Sequence, residues 1–108
     1  MSVNIRIKLD VNGLVSREQA EEVQRAVGEV LSGEGLDREV ELALHESDGE
    51  FKVTGRNEWP VSISRVRLWE PQFEAQIEGA VKQVSAEAEV RLDCVDADLE
   101  RALEEGTL

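Results

Sequence analysis

Apolar and polar residues alternate without a fault over residues 3–12. Val3, Ile5, Ile7, Leu9 and Val11 fall on one parity, and Asn4, Arg6, Lys8, Asp10 and Asn12 on the other. A period of two predicts a strand with one face on a core and one in water. Asn12-Gly13 then signals a turn, and the period changes to a helical one. Ala20, Val23, Val27, Val30 and Leu31 make an apolar stripe, with Glu18, Glu21, Glu22, Arg25 and Glu29 mostly opposite it. The helix is expected over about 16–33. Ser16 with Gln19 reads as a capping box, with Val15 and Ala20 as its hydrophobic staple. Gly33 and Gly35 stop it, and Gly28 inside it suits close packing on a sheet.

Alternation resumes over 38–46, with Val40, Leu42 and Leu44 inward. Glu46-Ser47-Asp48-Gly49-Glu50 is a hairpin signal, and Phe51 and Val53 continue into a return strand. A second amphipathic helix carries Phe73, Ile77, Ala80, Val81 and Val84 on one side. Pro71 is expected as its first residue, where a missing N–H costs nothing, and Glu78 with Lys82 as an i,i+4 pair. A final strand is expected over 88–95, with Ala88, Val90, Leu92 and Cys94 on its apolar parity. Residues 96–108 read as an acidic C-terminal helix or tail appended to a single α+β domain over 1–95.

The regular pattern fails only over residues 58–71, which hold both tryptophans and both prolines of the chain. Val61 and Ile63 share one parity, and Val66 and Leu68 the other, so no regular strand keeps all four on one face. A bulge near Ser64-Arg65, or a meeting of two short segments, resolves this, and the expectation is a bulged edge strand over about 61–68. The element order is then β-α-β-β-(β)-α-β. Two helices on one face of an antiparallel sheet bury every apolar stripe. The expected fold is therefore α+β, a ferredoxin-like split βαβ sandwich with an extra edge strand.

Composition narrows the function classes. The chain has 108 residues, with 24 Asp and Glu against 12 Lys and Arg, a net charge of −12. Such a field repels nucleic acid and anionic membranes and favours basic partners. A solubilising role for the charge, or adaptation to a salty cytoplasm, is the plain alternative. No apolar run approaches the roughly 20 residues that span a bilayer, and the first residues lack a signal-peptide pattern. A cytoplasmic protein is expected.

The chain carries no motif for catalysis. Its glycines form no phosphate-binding fingerprint. One histidine, His45, and one cysteine, Cys94, cannot build a zinc site. Asp93, Asp96 and Asp98 do not match a calcium loop, and Asp96 and Asp98 read instead as favourable charge at a helix N-terminus. His45 sits on the polar parity of its strand and Cys94 on the apolar parity, so neither is nominated as a base or nucleophile. No catalytic residue, cofactor or metal is expected. The cluster Asn57, Trp59, Arg65, Arg67 and Trp69 is the strongest local signal, because Trp and Arg anchor interfaces. On one strand, Arg65, Arg67 and Trp69 would share a face. The alternative is that the tryptophans close the end of the core.

By size, acidity and mixed α/β pattern over the whole chain, the protein resembles the small acidic immunity proteins of bacterial polymorphic-toxin and contact-dependent-inhibition systems. The resemblance implies a non-catalytic inhibitor of a basic toxin domain, a nuclease for instance. The carboxylates Glu18, Glu21, Glu22, Glu74 and Glu78, or the acidic tail, would then meet the toxin, with Trp59, Arg65, Arg67 and Trp69 as anchors. Two other classes stay open. One is a small dimeric ferredoxin-like enzyme using His45, Asn57, Trp59 and Arg67. The other is an assembly domain that self-associates, as a homodimer for example, through the charged sheet face or the 61–68 edge.

Overall fold

The computed structural model describes residues 2–104. Its elements are β1 (Ser2–Leu14), α1 (Arg17–Gly33), β2 (Val40–Ser47), β3 (Glu50–Asn57), β4 (Val61–Ser64), α2 (Val66–Val84), β5 (Glu89–Asp96) and α3 (Ala97–Glu104). β1 is central and antiparallel to β3, β4 and β5, and β2 is antiparallel to β3. β1 and β2 therefore run parallel with β3 between them, and β3 and β5 run parallel with β1 between them. These are two interleaved split βαβ units with sheet order β2-β3-β1-β5, the ferredoxin-like arrangement.

The strand alternation places the core. Ile5, Ile7, Leu9 and Val11 are buried on the inner face of β1, with Val53 of β3 and Val40 of β2. Ala20, Val23, Val27 and Leu31 of α1 and Phe73, Ile77 and Val81 of α2 pack over them. Each Val, Leu, Ile or Phe among these contributes roughly 1.5–3 kcal/mol on full burial. Gly28 brings α1 down onto Leu42, where a Cβ would lie 3.8 Å from the leucine Cδ1.

The local signals act largely as expected. Ser16 Oγ accepts from the Gln19 N–H at 3.1 Å, and Gln19 Oε1 accepts from the Val15 N–H at 3.0 Å. The box closes one residue early, and Val15 itself is exposed, so the expected staple with Ala20 does not form. Gly35, at φ +73°, lets the Leu36 N–H reach the Leu31 carbonyl and terminate α1. Asp48 and Gly49 both take positive φ, the requirement of a two-residue hairpin turn between β2 and β3. Lys82 does not pair with Glu78; its ammonium braces the turn between α2 and β5 by donating to the Ala86 and Ala88 carbonyls.

The irregular stretch departs most from expectation. The extra edge strand is present, but it ends at Ser64, and α2 begins at Val66. Arg65 makes the switch in the left-handed region, at φ 54° and ψ 48°. The parity conflict between Val61/Ile63 and Val66/Leu68 is thus a strand-to-helix change, not a bulge within one strand. Pro71 is inside α2 rather than at its start, so the Arg67 carbonyl loses the donor that position would normally supply.

A large bulge lies just upstream. Lys8 faces Arg56, and Ile5 faces Val61. Three steps along β1 (8 to 5) are matched by five along the facing segment (56 to 61), an excess of two residues. β3 and β4 are in effect one interrupted strand on the same side of β1, with Glu58, Trp59 and Pro60 pushed outward.

The other sheet face is polar and partly covered. α3 packs on β1 and β5. Glu100 meets Arg6 Nε and Lys8 Nζ, each at 3.5 Å, and Asn4 Nδ2 donates to Asp98 at 3.2 Å. Asp96 Oδ1 accepts from the Asp98 and Leu99 N–H groups, the N-terminal role read from the sequence. The C-terminal segment is therefore a docked helix as far as Glu104, and residues 105–108 of the expected acidic tail lie outside the described residues.

Candidate functional site

The carboxylates singled out from the sequence lie on the helical layer. Glu18, Glu21 and Glu22 are exposed in the first half of α1. Glu74 and Glu78 are exposed on α2, and Glu70, four residues earlier, extends the same column. This column stands beside β5. Glu70 and Glu74 act electrostatically on Cys94, and Glu78 lines a surface depression with Val90 and Arg91. The sequence pattern marks Glu74 and Glu78 but not Glu70. Its i,i+4,i+8 spacing is readable, whereas its position along a sheet edge follows only from the topology.

The Trp/Arg cluster is dispersed. Trp59 is 71 % exposed on the outward bulge. It lines a groove of ≈ 470 Å³ with Arg6, Pro60, Ala97, Asp98, Glu100 and Arg101. Trp69 is half-buried, stacked on Phe73 with centroids 4.6 Å apart, and its Nε1 donates to Glu34 at 3.2 Å. It ties the end of α1 to the start of α2 at the edge of the core. Arg65 occupies the strand–helix junction, and Arg67 is exposed on the first turn of α2. Arg65, Arg67 and Trp69 do not line one strand face, because the backbone is helical from Val66 onward.

Asn57 has a different role from its neighbours. It is 4 % exposed, the single buried polar residue among the described ones. Its Oδ1 accepts from the Ile7 N–H at 2.7 Å, and its Nδ2 donates to the carbonyls of Ile5 at 3.0 Å and Trp59 at 2.9 Å. Where the chain bulges away from β1, this carboxamide takes over the ladder bonds that the backbone has vacated. Its position is structural rather than part of an exposed anchor.

On the polar sheet face, Asp10 accepts from Arg56 at 3.1 Å and pairs with Lys52 at 3.3 Å. Partial burial pushes its carboxyl up, but hydrogen bonds and charge from Arg56 and Lys52 outweigh this and hold it below its ordinary value. His45 is exposed, with Nε2 3.1 Å from Thr54 Oγ1. It lines an open depression of ≈ 360 Å³ with Asp48, Glu50 and Lys52. His45, Asn57, Trp59 and Arg67 do not converge on one cavity: Asn57 is spent on backbone, and Arg67 lies on α2. α3 occupies part of the face that a sheet-to-sheet dimer would use. Burial first, then Glu70, Glu74 and Asp93, pushes the Cys94 thiol up to about 12, which keeps it protonated near neutrality. Among the described residues no group of three or more His, Cys, Asp or Glu is placed to hold a metal ion. No described helix is long and apolar enough to cross a membrane.

No protein-family model and no curated protein matches the chain. Solved structures do. A de novo designed protein, Foldit4, superposes with a TM-score of 0.65 at 15 % identity, covering 85 % of this chain and 96 % of that one. A solution structure of the designed protein LFR1 1, with a ferredoxin fold, aligns with a TM-score of 0.46 at 14 % identity, over 85 % of this chain and 84 % of that one. At 15 % identity the likeness to Foldit4 is one of fold alone. The ferredoxin-like topology itself rests on the strand pairing.

Proposed function

We propose that this chain is a non-catalytic acidic binding protein that recognises a basic protein partner, acting as an immunity or inhibitor protein for a toxin domain, a nuclease for instance. The observation that carries the reading is the placement of Glu18, Glu21, Glu22, Glu74 and Glu78, all exposed on two helices packed side by side, in a chain of net charge −12. A surface of that sign accelerates encounter with a cationic partner and disfavours acidic ones. Trp59, exposed beside the groove under α3, supplies an aromatic anchor of the type that dominates interface energetics. The narrower toxin-inhibitor assignment rests on the resemblance in size, charge and element pattern.

The test is affinity capture from the native cell with mass spectrometry, repeated with all five glutamates changed to glutamine. The expected result is a partner with a strongly basic domain that the five-fold variant no longer retains. The purified partner's activity should then fall on stoichiometric addition of the wild-type protein. An acidic partner, or a basic one held equally by the variant, contradicts the proposal.

A further inference from the structure

We infer that the outer edge of β5, flanked by the α2 carboxylates Glu70, Glu74 and Glu78, is an acceptor site for an added β-strand carrying basic residues at alternate positions. The inference rests on the proposed function and names the place and mode of binding within it.

Among the described residues the outer edges of β2, β5 and the four-residue β4 are free, and β4 is too short to offer three alternate positions. Among the described residues, β5 pairs with β1 alone and β2 with β3 alone. A free edge presents unpaired N–H and C=O groups that an extended peptide can complete. The flanks of the β2 and β5 edges differ. Beside β2 stand Arg17, Glu21, Gln24 and Gly28 of α1, located by the Arg17–Glu46 ion pair and the approach of Gly28 to Leu42. Their charges cancel. Beside β5 stand Glu70, Glu74 and Glu78, which with Glu89 and Asp93 of β5 outnumber the nearby cations Lys82 and Arg91, and Val90, Leu92 and Cys94 are partly exposed beneath them. Cations are therefore drawn to β5, where an incoming strand also covers apolar surface.

The spacing fits as well as the charge. Residues i, i+4 and i+8 of a helix are separated by ~6 Å along its axis. Alternate residues of a strand on one face are separated by ~6.6 Å. A strand added to β5 would point every second side chain toward the helical layer, so three successive such positions meet Glu70, Glu74 and Glu78 in register. A second copy of this chain fits poorly. A two-fold pairing of β5 about Leu92 brings two carboxylate columns together, with Glu74 of one copy near Glu78 of the other.

The probe is a capped ten-residue peptide with arginine at three alternate positions and valine or threonine between. Its control has the same composition with the arginines contiguous. Titration at low salt is followed by backbone amide NMR. Binding is expected to perturb residues 89–96 and 70–78, and to be weaker for the control. Each Glu→Gln change on α2 should weaken it by about 1.4- to 5-fold, the range of an exposed ion pair, and the triple variant by about 3- to 125-fold. Changing the exposed Asp37, Glu39 and Glu41, at the β2 side of the sheet, to their amides should alter it by less than about twofold. Perturbations centred on β2 or α1, an unaffected α2 triple variant, or a protein dimer with β5 amides protected would overturn this inference and leave the proposed function standing. If neither peptide nor any basic protein binds, both fall.

Discussion

Replacing Asn57 with alanine tests how the bulge is held. The carboxamide bonds the Ile7 N–H, the Ile5 carbonyl and the Trp59 carbonyl, and Ile5 and Ile7 are 2 % and 1 % exposed. Without it, two buried backbone groups of β1 lose their partner, at roughly 1–3 kcal/mol each. With the Trp59 carbonyl only partly buried, the expected loss is about 3–5 kcal/mol. For a domain of this size that is a fall in Tm of about 12–20 °C. Urea unfolding should show a lower midpoint at unchanged m-value. Asn57→Asp separates hydrogen bonding from shape. It keeps the Ile7 acceptor but turns a carboxylate toward two carbonyls in a buried site. Its carboxyl pKa is therefore raised in the folded state, so the destabilisation is full at neutral pH and shrinks as pH falls through that raised value. An alanine variant within about 1 kcal/mol of wild type, or an aspartate variant with no recovery in acid, would show that the carboxamide does not hold the bulge.

Other outcomes follow from the same contacts. The Asp10 carboxyl is held low in the folded state, so it contributes stability above the ordinary value of 3.8 that is lost as pH falls through the depressed value. The Tm gap between wild type and Asp10→Asn should accordingly be largest near neutrality and close below about pH 4; a gap independent of pH contradicts this. At pH 8, with a pKa near 12 rather than 9, Cys94 should alkylate about 1000-fold more slowly than a free thiol, as timed with iodoacetamide on the native protein. Labelling at the free-thiol rate would show the site to be open. Glu100→Gln removes both ion pairs that hold α3 to β1; hydrogen exchange of α3 amides should rise several-fold with a loss of about 0.5–1 kcal/mol. Unchanged exchange would mean that α3 is docked by other contacts.

The strands and both long helices are legible in the sequence because each buries one face, and burial writes its period into the chain. Val3 to Val11 on β1 and Ala20 to Leu31 on α1 are the plainest cases. Turn chemistry is equally local: Asp48-Gly49 and Gly35 announce the backbone that they adopt. The strand-to-helix switch is not legible. Arg65 takes a left-handed conformation without a residue type that signals it, and Pro71 suggests a helix start five residues late. Asn57 reads as a member of the Trp/Arg cluster because its partners, Ile5 and Ile7, are about fifty residues away in sequence. Its carboxamide is explained only once β3 and β4 lie on the same side of β1. For the candidate site, the exposed glutamates are readable from helical spacing. The company they keep is not, since β5 reaches the Glu70, Glu74 and Glu78 column only through the crossover.

Partner recognition is tested most directly by the affinity for the captured basic partner as a function of salt, for wild type and for the variant with Glu18, Glu21, Glu22, Glu74 and Glu78 changed to Gln. Recognition by exposed carboxylates predicts a dissociation constant that rises steeply with salt for the wild type, and a weaker, flatter curve for the variant. Superimposable curves, or wild-type affinity indifferent to salt, would contradict it.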